Sequence, residues 1–160
     1  MSLTIPLEQI RPEHATIVGG KAAALARMGR KGIAVPGGLS ISTEAYRRYL
    51  AETGLALRIA RELNRKPFKD MRWEELWDAA LRIRNMFLTS DLPDDLYADL
   101  SSAVDQRFAD RPVAVRSSAP GEDSERTSFA GLHESFVNVR GTRAILDHVR
   151  LVWASLWSDR

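Results

Sequence analysis

Apolar residues recur at helical spacing in two stretches in the middle of the chain. They lie at positions 73, 76, 77, 80, 83 and 87 and, after Pro93, at 96, 100, 103, 104 and 108. Residues three and four apart share one face of an α-helix, so this spacing predicts two amphipathic helices. Trp73 and Trp77 lie on the first stripe, and Trp153 lies on a similar stripe near the end of the chain. All three tryptophans are therefore expected in the core.

A different pattern begins after Pro112, where valines alternate with other residues. Val113 and Val115 alternate with Ala114 and Arg116, and a second β-type run covers residues 135–139. Successive side chains of a strand point to opposite faces, so Arg116 is expected to point away from the valines. The segment between the two runs is too polar to bury. We therefore expect residues 113–117 and 135–139 to form an antiparallel pair.

Glycines and hydroxyl residues mark the other elements. Gly19 and Gly20 open an alanine-rich helix, and residues 33–41 read as two short extended pieces around a Pro-Gly-Gly turn. Further helices are expected from a cap at Ser42 or Thr43 to about residue 53, from residue 55 to about residue 65, and from Gly141–Thr142 onward. Together these elements predict an α+β fold, with helices packed on a small, mainly antiparallel sheet. The last helix runs almost to Arg160, which is the pattern expected of a piece of a longer chain.

Composition narrows the class of protein. A chain of 160 residues that is 44% hydrophobic suits one domain with a core of its own. The 23 basic and 21 acidic residues nearly balance, so no broad attraction to nucleic acid is indicated. Cysteine is absent, which excludes disulfides and thiolate metal sites and fits the cytoplasm. No apolar run is long enough to span a membrane, and no secretory signal begins the chain.

Lys21 is the first candidate for anion binding. It follows Gly19 and Gly20 in the first turn of the alanine-rich helix, where backbone amides and the helix dipole favour an anion. The segment is not a P-loop, because Ala15 stands where that motif requires glycine and Ala22 where it requires serine or threonine. The alternative is a solvated surface lysine.

Arg116 is the second candidate, because it ends the first β-type run just before a loop of small, acidic and hydroxyl residues. A guanidinium can hold phosphate oxygens in a two-pronged fork, and consecutive backbone amides can form an anion-binding concavity. The loop therefore suits a polyphosphate ligand. The alternative is a long solvated hairpin in which Arg116 pairs with Glu122 or Asp123.

Four segments together resemble a known family. In chain order they read GGKAAALARM, GIAVPGGLSIS, VAVRSSAPGEDSERTSFAGLHESFVNVRG and VWASLW. They are similar to the amino-terminal part of the nucleotide-binding domain of phosphoenolpyruvate synthase and pyruvate phosphate dikinase, a domain that rifamycin phosphotransferases and some glucan dikinases share. The resemblance extends from about residue 14 to the end of the chain. It implies the amino-terminal lobe of an ATP-grasp fold, in a single truncated domain covering residues 1–160.

The resemblance also assigns site residues by position. Lys21 and Arg116 would bind the phosphates of ATP. A flap over the phosphates would consist of Ser128, Phe129, Ala130 and Gly131. The chain departs from residues frequent in the family at 125–127 and at 132–133, on either side of this flap.

The resemblance implies a phosphotransferase that passes a phosphoryl group from ATP to a histidine and then to pyruvate or another acceptor. No catalytic residue and no metal ligand is expected within this chain. The ligands of Mg²⁺, the phosphohistidine domain and the acceptor domain would lie beyond Arg160. Two alternatives are an antibiotic-modifying enzyme like the rifamycin phosphotransferases and a non-catalytic regulatory domain that retains the fold. A nucleic-acid module is disfavoured because acidic residues interrupt the basic stripe of residues 47–66 and no aromatic platform accompanies it.

Overall fold

The computed structural model describes residues 2–119, 123–124, 127–128 and 134–157. Within these ranges the fold is α+β, as the sequence predicts. The helices are α1 (Ala15–Arg30), α2 (Thr43–Glu52), α3 (Leu55–Leu63), α4 (Trp73–Leu88), α5 (Asp94–Phe108) and α6 (Thr142–Ser155). The strands are β1 (Thr4–Pro6), β2 (Leu39–Ile41), β3 (Val113–Arg116), β4 (Asp123–Ser124), β5 (Thr127–Ser128) and β6 (Ser135–Val139). They pair antiparallel as β1–β2, β3–β6 and β4–β5. None of the helices in this described part is long and apolar enough to cross a membrane.

The pairing of β3 with β6 confirms the expected strand pair and adds a bulge. Val113 is paired with Val139 but Val115 with Phe136, so β6 contains one extra residue between the two pairs. Asn138 lies at this point with a φ of 56°, a left-handed conformation that asparagine tolerates. Phe136 and Val139, three residues apart, would face opposite sides of a regular strand. Because of the bulge, both pack against the main core.

The first of the two extended pieces expected in residues 33–41 is not a strand. Only Leu39–Ile41 forms one, and it pairs with the amino-terminal strand β1, with Ile5 opposite Ser40. The ladder therefore joins the beginning of the chain to the residues just before α2.

The main core is built around α6. The helix buries Leu146 and Val149, and its Trp153 packs against the rings of Tyr46 and Tyr49, with centroids 5.5 Å and 5.2 Å away. The core position expected for Trp153 is therefore confirmed. Burial raises the pKa of Tyr49 to about 12, and its hydroxyl donates a 2.7 Å hydrogen bond to the carbonyl oxygen of Ser90. The buried phenol therefore has its hydrogen-bond partner inside the core.

The core positions expected for Trp73 and Trp77 are wrong. Their side chains are 65% and 54% exposed, whereas α4 buries Ala79, Ile83 and Phe87. At about 100° of rotation per residue, the two tryptophans lie about a quarter of a turn away from the buried face. The apolar stripe of α4 is therefore broad, with Trp73 and Trp77 on its exposed side, and periodicity alone cannot show which side is buried.

A second, smaller core lies between β1 and α1. It consists of Ile5, Ile10, Val18, Ala22 and Ala26. The β1–β2 ladder connects this smaller core to the rest of the domain, and an ion pair connects it to α5 as well. Both guanidinium Nη atoms of Arg107 bind the carboxylate of Glu8, each at 2.7 Å. A two-pronged pair of this kind fixes orientation as well as distance.

Glu62 on α3 is a buried carboxylate at the junction with α4. Arg82 Nε donates a 2.8 Å hydrogen bond to its Oε1, Arg82 Nη2 lies 2.8 Å from the same oxygen, and Arg65 approaches at 3.4 Å. Burial opposes ionisation of Glu62, but the hydrogen bonds and charge of Arg82 and Arg65 outweigh it. The pKa of Glu62 is therefore held below its ordinary value.

We expect Glu62→Gln to lower the free energy of unfolding at pH 7 by about 1–3 kcal/mol, because it removes a charge-assisted pair from a buried position. A carboxylate with a lowered pKa contributes stability above its unfolded pKa, and that contribution disappears as pH falls through the folded value. The difference between parent and variant should therefore shrink between pH 7 and pH 3.5 in urea titrations. Glu13→Gln, at an exposed site, is the control. A difference independent of pH would contradict the assignment.

Candidate functional site

Helix α1 contains a break at Gly19. Its φ of 78° and ψ of 171° are not helical and fall in a region that essentially only glycine adopts. The helix resumes at Gly20, so residues 20–30 have an amino terminus of their own. The glycine entrance expected from the sequence is therefore present, although a first helical turn, residues 15–18, precedes it.

The loop that follows β3 lies directly on this new amino terminus. The amide of Ala22 donates to Ser118 Oγ at 2.9 Å, and the amide of Gly20 donates to the carbonyl oxygen of Ala119 at 3.4 Å. A Cβ atom at Gly19 would lie 1.8 Å from the carbonyl oxygen of Ser118. The two backbones are thus in contact, and only glycine fits at position 19.

This contact changes the expectation for the backbone amides. The first amides of a helix have no partner within the helix and are often satisfied by a side-chain oxygen. Here the amides of Gly20 and Ala22 bind the loop, so they do not face outward to receive an anion. The sequence indicated that backbone amides would help to bind an anion here. With two of these amides occupied, anion binding depends more on the charge of the side chains.

The side chain of Lys21 extends to the carboxyl end of β3. Its Nζ lies 3.5 Å from Oγ of Ser117, a contact at the outer limit of a hydrogen bond. Ser117 is buried and directly follows Arg116, the last residue of the strand. The structure therefore brings the ammonium group of Lys21 next to the residue adjoining Arg116, although 95 positions separate the two cations in the chain. Arg116 is exposed and its strand neighbour Val115 is buried, as the alternation predicts.

Of the expected flap, only Ser128 lies in the described part of the chain. It belongs to β5 and is paired with Asp123 of β4 in a short hairpin. Phe129, Ala130 and Gly131 lie outside the described residues. So does Glu122, one of the two carboxylates considered as a partner for Arg116. In the described ranges, no group of three or more histidine, aspartate or glutamate side chains could hold a metal ion.

Sequence reasoning missed the role of Ser118. The residue was one of several hydroxyls in a polar loop, and the amide it accepts from belongs to Ala22, 96 positions away. No local spacing connects the two. The only sequence signal was the glycine pair at 19 and 20, which indicates a close approach of backbone without naming what approaches.

An α+β fold with a glycine–lysine helix docked against a strand end agrees with the family that the sequence matches. Residues 15–160 match the family described as pyruvate phosphate dikinase, AMP/ATP-binding domain, and the chain belongs to it. The resemblance found in the sequence is therefore confirmed.

The chain is similar to phosphoenolpyruvate synthases from Aeropyrum pernix and Neisseria meningitidis. Each is 38% identical, over 165 residues in the first and 162 in the second, covering 99% and 96% of this chain. It is also 35% identical, over 99% of its length, to a rifampicin phosphotransferase from a Streptomyces species. The matched region is 20% of each synthase and 18% of the rifampicin phosphotransferase, so the chain spans about a fifth of the length of these relatives.

Replacing Gly19 tests the close contact with Ser118. Gly141 offers a matched control. It also lies directly before a helix, its own φ is 78°, and a Cβ built on it would have no atom within 4 Å. Gly141→Ala introduces only backbone strain, about 1–3 kcal/mol. We expect Gly19→Ala to lower the free energy of unfolding further, since it adds an overlap with backbone atoms. Urea titrations would measure both, and equal losses would show that the loop is not docked as described.

Proposed function

We propose that this chain is the ATP-phosphate-binding part of a dikinase-type phosphotransferase like phosphoenolpyruvate synthase. The observation that carries the proposal is the approach of Lys21 to Ser117, at the end of the strand that also carries Arg116. Lys21 and Arg116 come from distant parts of the chain, and the segments that carry them come together where a helix amino terminus lies against a strand end. Membership of an AMP/ATP-binding domain family supports a nucleotide as the ligand.

The charge of the chain as a whole gives little help to anion binding, so the site must act locally. The formal net charge is only +2, and charged side chains such as Arg48 and Arg107 are already paired with carboxylates. An ammonium and an exposed guanidinium at one strand end could each form charge-assisted hydrogen bonds to phosphate oxygens. Such bonds contribute about 1.5–3 kcal/mol each.

The remaining parts of the proposal follow the family resemblance. Residues 128–131 would cover the phosphates, and Mg²⁺ would be held by carboxylates in the part of an ATP-grasp domain that follows this chain. The parent protein would act in the cytoplasm on ATP, with neither nucleic acid nor membrane as a partner. It would phosphorylate one of its own histidines and then pyruvate.

Rifampicin is the second candidate acceptor. The identity to a rifampicin phosphotransferase, 35%, is close to the 38% found for the synthases, so this lobe does not discriminate between the two acceptors. Assays of the full-length protein with ATP and either pyruvate or rifampicin would separate them. Absence of nucleotide binding by that protein would favour the third candidate, a non-catalytic domain that retains the fold.

We expect Lys21→Ala and Arg116→Ala each to weaken ATP binding by the full-length protein about tenfold to a hundredfold, since each removes one charged contact with phosphate. Isothermal titration calorimetry measures the change. Lys31→Ala, at the far end of α1, and Arg140→Ala, just beyond β6, remove the same charges from exposed positions elsewhere. These controls should bind ATP as the parent does. Affinities within twofold of the parent for both Lys21→Ala and Arg116→Ala would refute the site.

A further inference from the structure

We propose that Ser118 is a positioning residue for the ATP-phosphate site. Its hydroxyl fixes the helix that carries Lys21 against the loop that follows Arg116, so that the two segments keep their relative position without Ser118 itself needing to touch the ligand. The inference rests on the proposed function, and it assigns a role that neither the family match nor the similar proteins supply.

The first observation is that the resumed helix cannot cap itself. The residue at its entrance is Gly19, which has no side chain to accept from the first amides. Ser118 supplies the missing acceptor from the opposite segment, with its Oγ 2.9 Å from the amide nitrogen of Ala22. The bond takes the place of a local N-cap, but it joins two distant parts of the chain.

The second observation is the position of this bond relative to the two cations. Its donor is the amide of Ala22, the residue after Lys21, and its acceptor is the hydroxyl of Ser118, two residues after Arg116. A second bond, from the amide of Gly20 to the carbonyl oxygen of Ala119, lies on the other side of Lys21 in the chain. Lys21 is thus flanked by two contacts to the same loop. Loss of the Ser118 hydroxyl would leave both charges in place but free the loop to move away from the helix.

The third observation is that the contact tolerates little adjustment. The Cα of Gly19 is so near Ser118 that even a methyl group would overlap its carbonyl carbon at 2.3 Å and its Oγ at 2.8 Å. Ser117, which meets the ammonium group of Lys21, is buried. A close backbone approach of this kind sets the separation of the two segments within a narrow range.

The experiment is a double-mutant cycle in the full-length protein, with ATP affinity measured by calorimetry. Ser118→Ala should weaken ATP binding about fivefold to thirtyfold, the effect of losing an N-cap of about 1–2 kcal/mol. Ser118→Thr keeps the hydroxyl and should bind within twofold of the parent. Ser102→Ala, at an exposed position on α5, is the matched control and should have no effect.

The cycle separates positioning from general destabilisation. If Ser118 acts by placing Lys21, then Ser118→Ala should have little further effect on ATP affinity in the Lys21→Ala background. Equal losses in both backgrounds would overturn the proposal. So would an affinity of Ser118→Ala within twofold of the parent. If Ser118→Ala does not fold, the ATP affinity of Ser118→Thr tests the proposal instead. A fivefold or greater loss of affinity in Ser118→Thr would overturn the proposal.

Failure of the proposed function would look different. In that case Lys21→Ala and Arg116→Ala would themselves bind ATP like the parent, and no positioning role could remain. If those two variants bind weakly and Ser118→Ala does not, the phosphate site stands and only the role of Ser118 is refuted.

Discussion

The contact between the Ser117–Ala119 loop and the second part of α1 joins the two cores of this domain at the candidate site, whereas the β1–β2 ladder joins them elsewhere. Helix α1 packs in the smaller core, whereas β3 packs in the larger one. The Ser118 hydroxyl bond joins them at the end of β3, and the Glu8–Arg107 ion pair joins them near α5. The serine bond is half-buried and the ion pair is exposed, so solvent and salt weaken the ion pair more than the hydrogen bond. The geometry of the candidate site therefore depends mainly on the serine contact.

The same contact determines what kind of anion site is possible. A helix amino terminus can present bare amides to a phosphate, as in the P-loop. In this domain the amides of Gly20 and Ala22 hold the loop instead, so the helix contributes rigidity and the side chains contribute charge. Phosphate recognition by Lys21 and Arg116 would then be sensitive to the distance between the helix that carries Lys21 and the end of β3, which are far apart in sequence.

Most of the secondary structure could be predicted because it depends on local periodicity. Helices α4, α5 and α6 and the β3–β6 pair follow from the spacing of apolar residues. The exposure of Trp73 and Trp77 could not be predicted, because the apolar stripe of α4 is broad and tertiary packing buries only one side of it. The cap formed by Ser118 was equally inaccessible, since its partners are far apart in sequence. The candidate residues Lys21 and Arg116 came from motifs, whereas the contact between the two segments that carry them required the structure.

The long separation between Ser118 and Ala22 has a consequence for the order in which the domain forms. Closing a loop of 96 residues carries a large entropic cost, and contacts of this kind slow folding. During synthesis, Lys21 leaves the ribosome about a hundred residues before Ser118 does. The start of its helix must wait uncapped until β3 has been made and has found its place. The candidate site is therefore assembled late, and a nascent chain that stops before β3 has Lys21 and its helix but not the strand end that Lys21 approaches.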